Sequence, residues 1–306
     1  MKRFALARNI VGCSREIPIS HVDFDSASRA WRAITEITLL EERFDSLTSN
    51  FLEFEKNMME SLFDFKYGGI GEGMHQMYVR RNLNRLLMNT LSAARGFIDH
   101  LPGACNRVFG ENDERGAECN NKLRHAYDSS LGYRMFEALR NHSQHYGFPI
   151  QFISYGMHMD GEFPNLHARH SISPLMDMGA IRLNSSFKKT VLVELELLKN
   201  PIDLKPYLRA YIEGLARAHY RFRNLALPIL EQSRTVLNDL STRFMDAFPG
   251  NETVLGLHGV VIEDDRWLEN IPLLTGMPEY AEYLSKNNVN FDWVSKGFLA
   301  TALQEP

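Results

Sequence analysis

The run Arg140-Asn141-His142-Ser143-Gln144-His145, inside EALRNHSQHYGFP, places a guanidinium, two amides and two imidazoles within six residues. These groups fit one chemistry, the cleavage of a phosphodiester that carries its own nucleophile. In RNA the 2′-hydroxyl attacks the neighbouring phosphorus. A base must take its proton, an acid must protonate the leaving 5′-oxygen, and positive charge must meet the developing phosphorane. Imidazole titrates near neutrality and serves as base or acid. Arginine keeps its charge and offers a planar fork to phosphate oxygens. His145 is therefore the candidate proton carrier and Arg140 the candidate phosphate stabiliser. Asn141 lies four residues before His145, on nearly the same helical face, where it can orient the imidazole or the phosphate.

The spacing also sets a geometric demand. Arg140 and His145 are five residues apart, about 140° around an ideal helix. They converge if the last turn tightens or frays before Gly147, if Arg140 curls across, or if a second copy of the chain supplies the missing half. The same residues also suit a plain helix end. Cations in a last turn complement the helix dipole, and Asn, Gln and His cap free carbonyls.

Helices must position this run. Leu40, Phe44, Leu47, Phe51, Phe54, Met58 and Leu62 recur at helical spacing and predict a long first helix ended by Tyr67-Gly68-Gly69. A second helix is expected from about Met74 to Leu101, closed by Pro102-Gly103, with a loop over 103–118. A third covers about Asn120 to Tyr146 and stops at Gly147-Phe148-Pro149. Pro149–His158, Leu166–Ser173 and Thr190–Leu198 read as strands of a β insertion over 149–200. The fourth helix spans about Leu204 to Phe248, with a kink expected at Pro228. Residues 1–25 read as an irregular or strand-like arm. The C-terminal extension, 249–306, mixes a possible strand (Val254–Ile262) with short helices. The chain is thus expected to be mainly α: a four-helix bundle over 26–148 and 201–248, with the small β insertion between the third and fourth helices.

A second set of residues suits single-stranded RNA. In RAHYRFR (217–223), Arg217 and Arg221 stand among aromatics, so charge tracks phosphates while rings stack on bases. The same pattern also fits a helix with arginines in water and aromatics in the core. Arg134, with His142 and Gln144, extends the expected RNA-contacting set. His158, His167 and His170 match no metal-ligand spacing, so no metal and no cofactor is expected. Gly68–Gly73 follows a helix and lacks the Lys-Ser/Thr of a phosphate loop, so it reads as a turn.

Composition narrows the classes. The 306 residues carry a formal net charge of −4 and 24% charged residues, so RNA binding must rest on a local patch. Cys13, Cys105 and Cys119 lack CxxC spacing and read as free thiols. Charges interrupt every apolar run, and Phe4–Ala7 is too short for a signal segment, so a cytoplasmic, membrane-free protein is expected.

At LRNHSQH (139–145) the chain resembles the HEPN superfamily (higher eukaryotes and prokaryotes nucleotide-binding domains), which bears an Arg-polar-x3-His signature. RLLMNTLSAARGFIDHL (85–101) is similar to the helix beside that signature in some members. The resemblance spans roughly residues 35–147 and 204–247. It implies a HEPN-like helical bundle and a homodimeric, metal-independent endoribonuclease of toxin or phage-defence type, with Arg140 and His145 as catalytic pair and Asn141 at the polar position. RNA and an antitoxin or regulatory protein are the implied partners. Because other members bind nucleotides or act as scaffolds, it also admits a non-catalytic module binding a nucleotide or a protein. It leaves the β insertion and the C-terminal extension unexplained.

Overall fold

Ser20 opens the first helix with a reciprocal cap. Its Oγ accepts the backbone N–H of Asp23 at 3.1 Å, while its own N–H donates to Asp23 Oδ2 at 3.0 Å. From there α1 (His21–Tyr67) runs unbroken, and the predicted stripe from Leu40 to Met58 is buried along it. The computed structural model describes residues 2–10, 15–68, 72–163, 166–250, 254–273 and 276–297. Cys13 and part of the glycine-rich turn after α1 lie outside them.

The chain is mainly helical. The described residues form eight α-helices, and the strands form two small antiparallel sheets. No described helix is long and apolar enough to cross a membrane.

Several boundaries differ from those read in sequence. The second helix, α2 (Glu72–Phe109), does not stop at Pro102 but runs through it. A proline inside a helix costs about 3 kcal/mol. Each fully buried large apolar side chain returns roughly 1.5–3 kcal/mol, and Leu101, Cys105 and Phe109 are all buried around and beyond the proline. The predicted 103–118 loop shrinks to four residues, with Gly110 (φ 105°) and Asn112 (φ 61°) turning the chain. Then α3 (Glu114–Ser129) begins, with Asp113 accepting the N–H of Arg115 at 2.8 Å.

The predicted third helix is two helices. Ser130 adopts an extended backbone (φ −117°, ψ 115°) and accepts the N–H of Tyr133 on its side chain, starting α4 (Leu131–His145). The insertion holds a long hairpin, β3 (Phe152–Asp160) with β4 (His167–Met176). It also holds two short helices, α5 (Met178–Arg182) and α6 (Lys189–Glu196). The strand expected over 190–198 is therefore a helix. The apparent alternation Val191-Val193-Leu195 hid an i, i+4 pair. Val191 and Leu195 are buried, while Val193 is 62% exposed. A two-residue strand, β5 (Ile202–Asp203), pairs with β4 before α7 (Lys205–Ala247), which continues through Pro228.

At the other end of the chain β6 (Leu257–Glu263) and β7 (Arg266–Pro272) form a hairpin, followed by α8 (Met277–Asn287). The N-terminal arm is β1 (Arg3–Arg8) and β2 (Glu16–Pro18). These join the C-terminal hairpin in one sheet of order β2-β1-β6-β7.

The chain divides into two compact units. One comprises Met1–Glu42, His100–Cys119 and Tyr220–Val289, and contains this four-stranded sheet. The other comprises Arg43–Asp99, Asn120–His219 and Asn290–Pro306, and contains α4 and the β3–β4–β5 sheet. Within the second unit, side chains tie helices together. Arg209 of α7 forks onto Glu55 of α1 at 2.8 and 2.7 Å, and Tyr211 of α7 donates to Glu137 of α4 at 2.7 Å.

Candidate functional site

The C-terminal half of α4 presents one face to a pocket of about 300 Å³ in the second unit. Its contributors are Glu137, Ala138, Asn141, His142, His145 and Tyr146. The stripes 137/141/145 and 138/142/146 each repeat every four residues, as a helix requires. The opposite wall is the turn from α5 into α6, carrying Asn184, Ser186, Phe187 and Lys188, with Tyr127 of α3 alongside.

The stripe decides which residues share the site. Asn141 and His145 line it, and both are solvent-exposed. Arg140 is not among its lining residues, nor is Gln144. The helix stays regular through His145, so the 140° separation between Arg140 and His145 is not closed within α4. Arg140 Nη1 reaches only its neighbour, Asn141 Oδ1, at 3.4 Å, and its Nε is buried with no hydrogen-bond partner among the described residues.

His142 is the buried member, 4% exposed. Its Nδ1 lies 3.0 Å from Asn184 Nδ2. Oδ1 of Asn184 accepts the backbone N–H of Ser186 at 2.9 Å, so the amide nitrogen is the group turned to the imidazole. Nδ1 of His142 therefore accepts, and the ring proton resides on Nε2. Tyr146 stacks on the ring at 5.9 Å and Phe187 meets it edge-on at 6.0 Å. Burial pushes this imidazole below the usual histidine value of 6.5, favouring the neutral ring near pH 7.

Lys188 supplies the ammonium of the pocket. It bonds the hydroxyl of Tyr127 and lies 5.0 Å from that ring's centroid. The carboxylate present, Glu137, is engaged by Tyr211 at 2.7 Å and by Arg95 at 3.4 Å. Lys188, Asn184 and Tyr127 were missed in the motif reading. They come from other elements, and nothing in their own spacing marks them.

The expected RNA-contacting arginines are all engaged. Arg134 forks onto Glu194 of α6 at 3.1 and 2.5 Å and donates to the carbonyls of Tyr127 and Asp128 at 3.0 and 2.6 Å. Arg217 pairs with Glu213 one helical turn earlier. Arg221 forks onto Glu118 at 2.7 Å through both nitrogens. A fork filled by a carboxylate has few donors left for phosphate.

On the hairpin, His158 lies 3.4 Å from Asp160, and Nε2 of His170 lies 2.5 Å from Lys66 Nζ. Among the described residues no three His, Cys, Asp or Glu side chains gather as a metal site. Comparison with family models, with curated proteins and with solved structures finds no match to this chain.

Proposed function

We propose that this chain is a metal-independent endoribonuclease acting on single-stranded RNA at the α4 pocket, built on a HEPN-like helical bundle. The observation that carries this reading is that two imidazoles and an ammonium, His142, His145 and Lys188, line one cavity. His145, exposed in the pocket, takes the proton of the 2′-hydroxyl as O2′ bonds to phosphorus and the P–O5′ bond breaks. Lys188 and the Nε2–H of His142 face the growing charge on the phosphorane. Asn141, one turn before His145 on the same stripe, orients the substrate. The 5′-oxygen leaves with a proton delivered by His145 of a second copy in a homodimer. That second copy is also the source of an Arg140 facing the phosphate. A toxin or phage-defence setting, held in check by an antitoxin or regulatory protein, suits such an activity.

A second reading is a non-catalytic module that binds a nucleotide or a protein partner. It is favoured by Arg140, which points off the pocket stripe, and by the carboxylate-filled forks of Arg134, Arg217 and Arg221.

Incubation of the protein with single-stranded RNA in EDTA separates the two. The nuclease reading expects fragments ending in 2′,3′-cyclic phosphate, lost in His145→Ala. Intact RNA, bound or unbound, with wild-type protein favours the module.

A further inference from the structure

The first unit contains a second cavity, of about 410 Å³, unrelated to the α4 motif. Two helical stripes build it. Ser26, Arg29, Ala30 and Ala33 lie at i, i+3, i+4 and i+7 on α1, and Ile229, Gln232, Ser233 and Val236 repeat the same spacing on α7. The buried positions, Ala30, Ala33 and Ser233, are small, so the helices leave a groove between them.

Three arginines, Arg29, Arg32 and Arg107, are among the residues that line this groove, and no acidic residue is. Arg107 pairs with Glu36 at 2.6 Å. Arg29 donates to the Ser26 hydroxyl at 3.1 Å, and no carboxylate pairs with Arg29 or Arg32 among the described residues. Arg29 and Arg32 are three apart on one helix, a spacing at which like charges repel. The local excess is two positive charges beside a partly apolar wall.

We infer that this groove binds a small organic diphosphate. Two adjacent phosphate groups match two guanidiniums that have no carboxylate partner among the described residues, a group that binds phosphate oxygens in bidentate fashion. The volume exceeds what the diphosphate fills and leaves Ile229 and Val236 to contact the organic portion. Gln232 and Ser233, also in the lining, add neutral donors.

Calorimetric titration of the full chain at low salt tests this, with inorganic pyrophosphate, ADP and inorganic phosphate as probes. Pyrophosphate and ADP are expected to bind, ADP more tightly, and phosphate roughly tenfold or more weaker. Arg29→Gln and Arg32→Gln should each weaken both ligands about tenfold, and the double variant about a hundredfold. Both arginines are exposed, and an unchanged thermal melt confirms that the variants fold. Absence of binding by both diphosphates at millimolar concentration overturns the inference. So does binding that the double variant retains. If the double variant loses a single-stranded oligonucleotide but keeps pyrophosphate, the groove is an RNA track and the inference also fails. His145→Ala, in the other unit, should leave diphosphate binding intact, so failure of the nuclease reading leaves this test standing.

Discussion

Nδ1 of His142 accepts a hydrogen bond from Nδ2 of Asn184 at 3.0 Å. Because the Ser186 N–H fixes the other end of the amide, the contact sets the tautomer of a buried ring. A neutral histidine with its proton on Nε2 is a donor, not a base. The relationship separates the two imidazoles of the motif: in the proposed mechanism His142 is the donor and His145 the proton carrier.

The depressed His142 proton affinity predicts an acid-side loss of stability. In the unfolded chain the imidazole takes a proton at its ordinary value of 6.5, whereas the folded site resists it. The unfolded state thus binds more protons as pH falls below 6.5, and stability drops until the lower folded value is passed. The slope is at most about 1.4 kcal/mol per pH unit for one group. Urea melts between pH 7.5 and pH 5 should show this fall in the wild type and less of it in His142→Phe. Equal slopes would remove His142 as its source.

Asn184→Asp should reverse the shift. A carboxylate facing Nδ1 favours the charged ring and raises the His142 midpoint by about one unit or more. Proton NMR titration of the imidazole reads this directly. A midpoint unchanged from wild type would mean that the amide does not face the ring.

Single substitutions should rank the site. His145→Ala and Lys188→Ala are each expected to cut the cleavage rate by about 10²-fold or more. Arg140→Ala should do so only when two copies share a site, because Arg140 lies off the cavity stripe of its own helix. Mixing wild-type protein with an excess of Arg140→Ala or of His145→Ala protein checks the point. In a shared site a mixed dimer with Arg140→Ala keeps one intact site and one with His145→Ala keeps none, so His145→Ala should suppress the wild-type activity more; no suppression by either variant places all the chemistry in one chain.

The sequence carried some of this and hid the rest for identifiable reasons. Local periodicity was enough for α1, whose buried Phe44, Leu47, Phe51 and Phe54 follow the predicted stripe. It also placed Asn141 and His145 on one face. It was not enough for α6, where Val191 and Leu195 satisfy both a strand and a helix pattern, nor for Pro102, whose local cost is outweighed by burial further along α2. The pairing of Ala5 with Val260 joins segments at opposite ends of the chain, and no window in the sequence spans them. The site shows the same limit. Charges are visible in sequence but their partners are not: Arg134 and Arg221 read as RNA contacts there, and in the fold Glu194 and Glu118 pair with them.

Arg134 and Lys188 should therefore behave differently. Arg134 holds Glu194 of α6 and the last carbonyls of α3, so Arg134→Gln is expected to cost about 1–3 kcal/mol of stability. It should leave the salt dependence of RNA binding unchanged. Lys188→Ala should lower that logarithmic salt slope by about one, as loss of one phosphate contact does, with little effect on the melt. Fluorescence anisotropy across a salt series, beside chemical denaturation, distinguishes them.

A close backbone approach fixes α4 at the end away from the pocket. At Gly132, in the first turn of α4, an added Cβ would lie 2.4 Å from the carbonyl oxygen of Tyr207 on α7. Backbone occupies the space, so no rotamer change relieves the clash. Gly132→Ala must push α4 away from α7, and overpacking of this kind costs about 1–3 kcal/mol. Gly147, just beyond the same helix, meets nothing within 4 Å of its added Cβ and provides the control. Thermal melts should separate the two substitutions, with Gly132→Ala lower. Because α4 carries Asn141, His142 and His145 as a rigid unit, Gly132→Ala should also weaken RNA binding at a temperature where the protein remains folded. A variant as stable as wild type would show that α4 and α7 are not in backbone contact, and the pocket would lose its fixed wall.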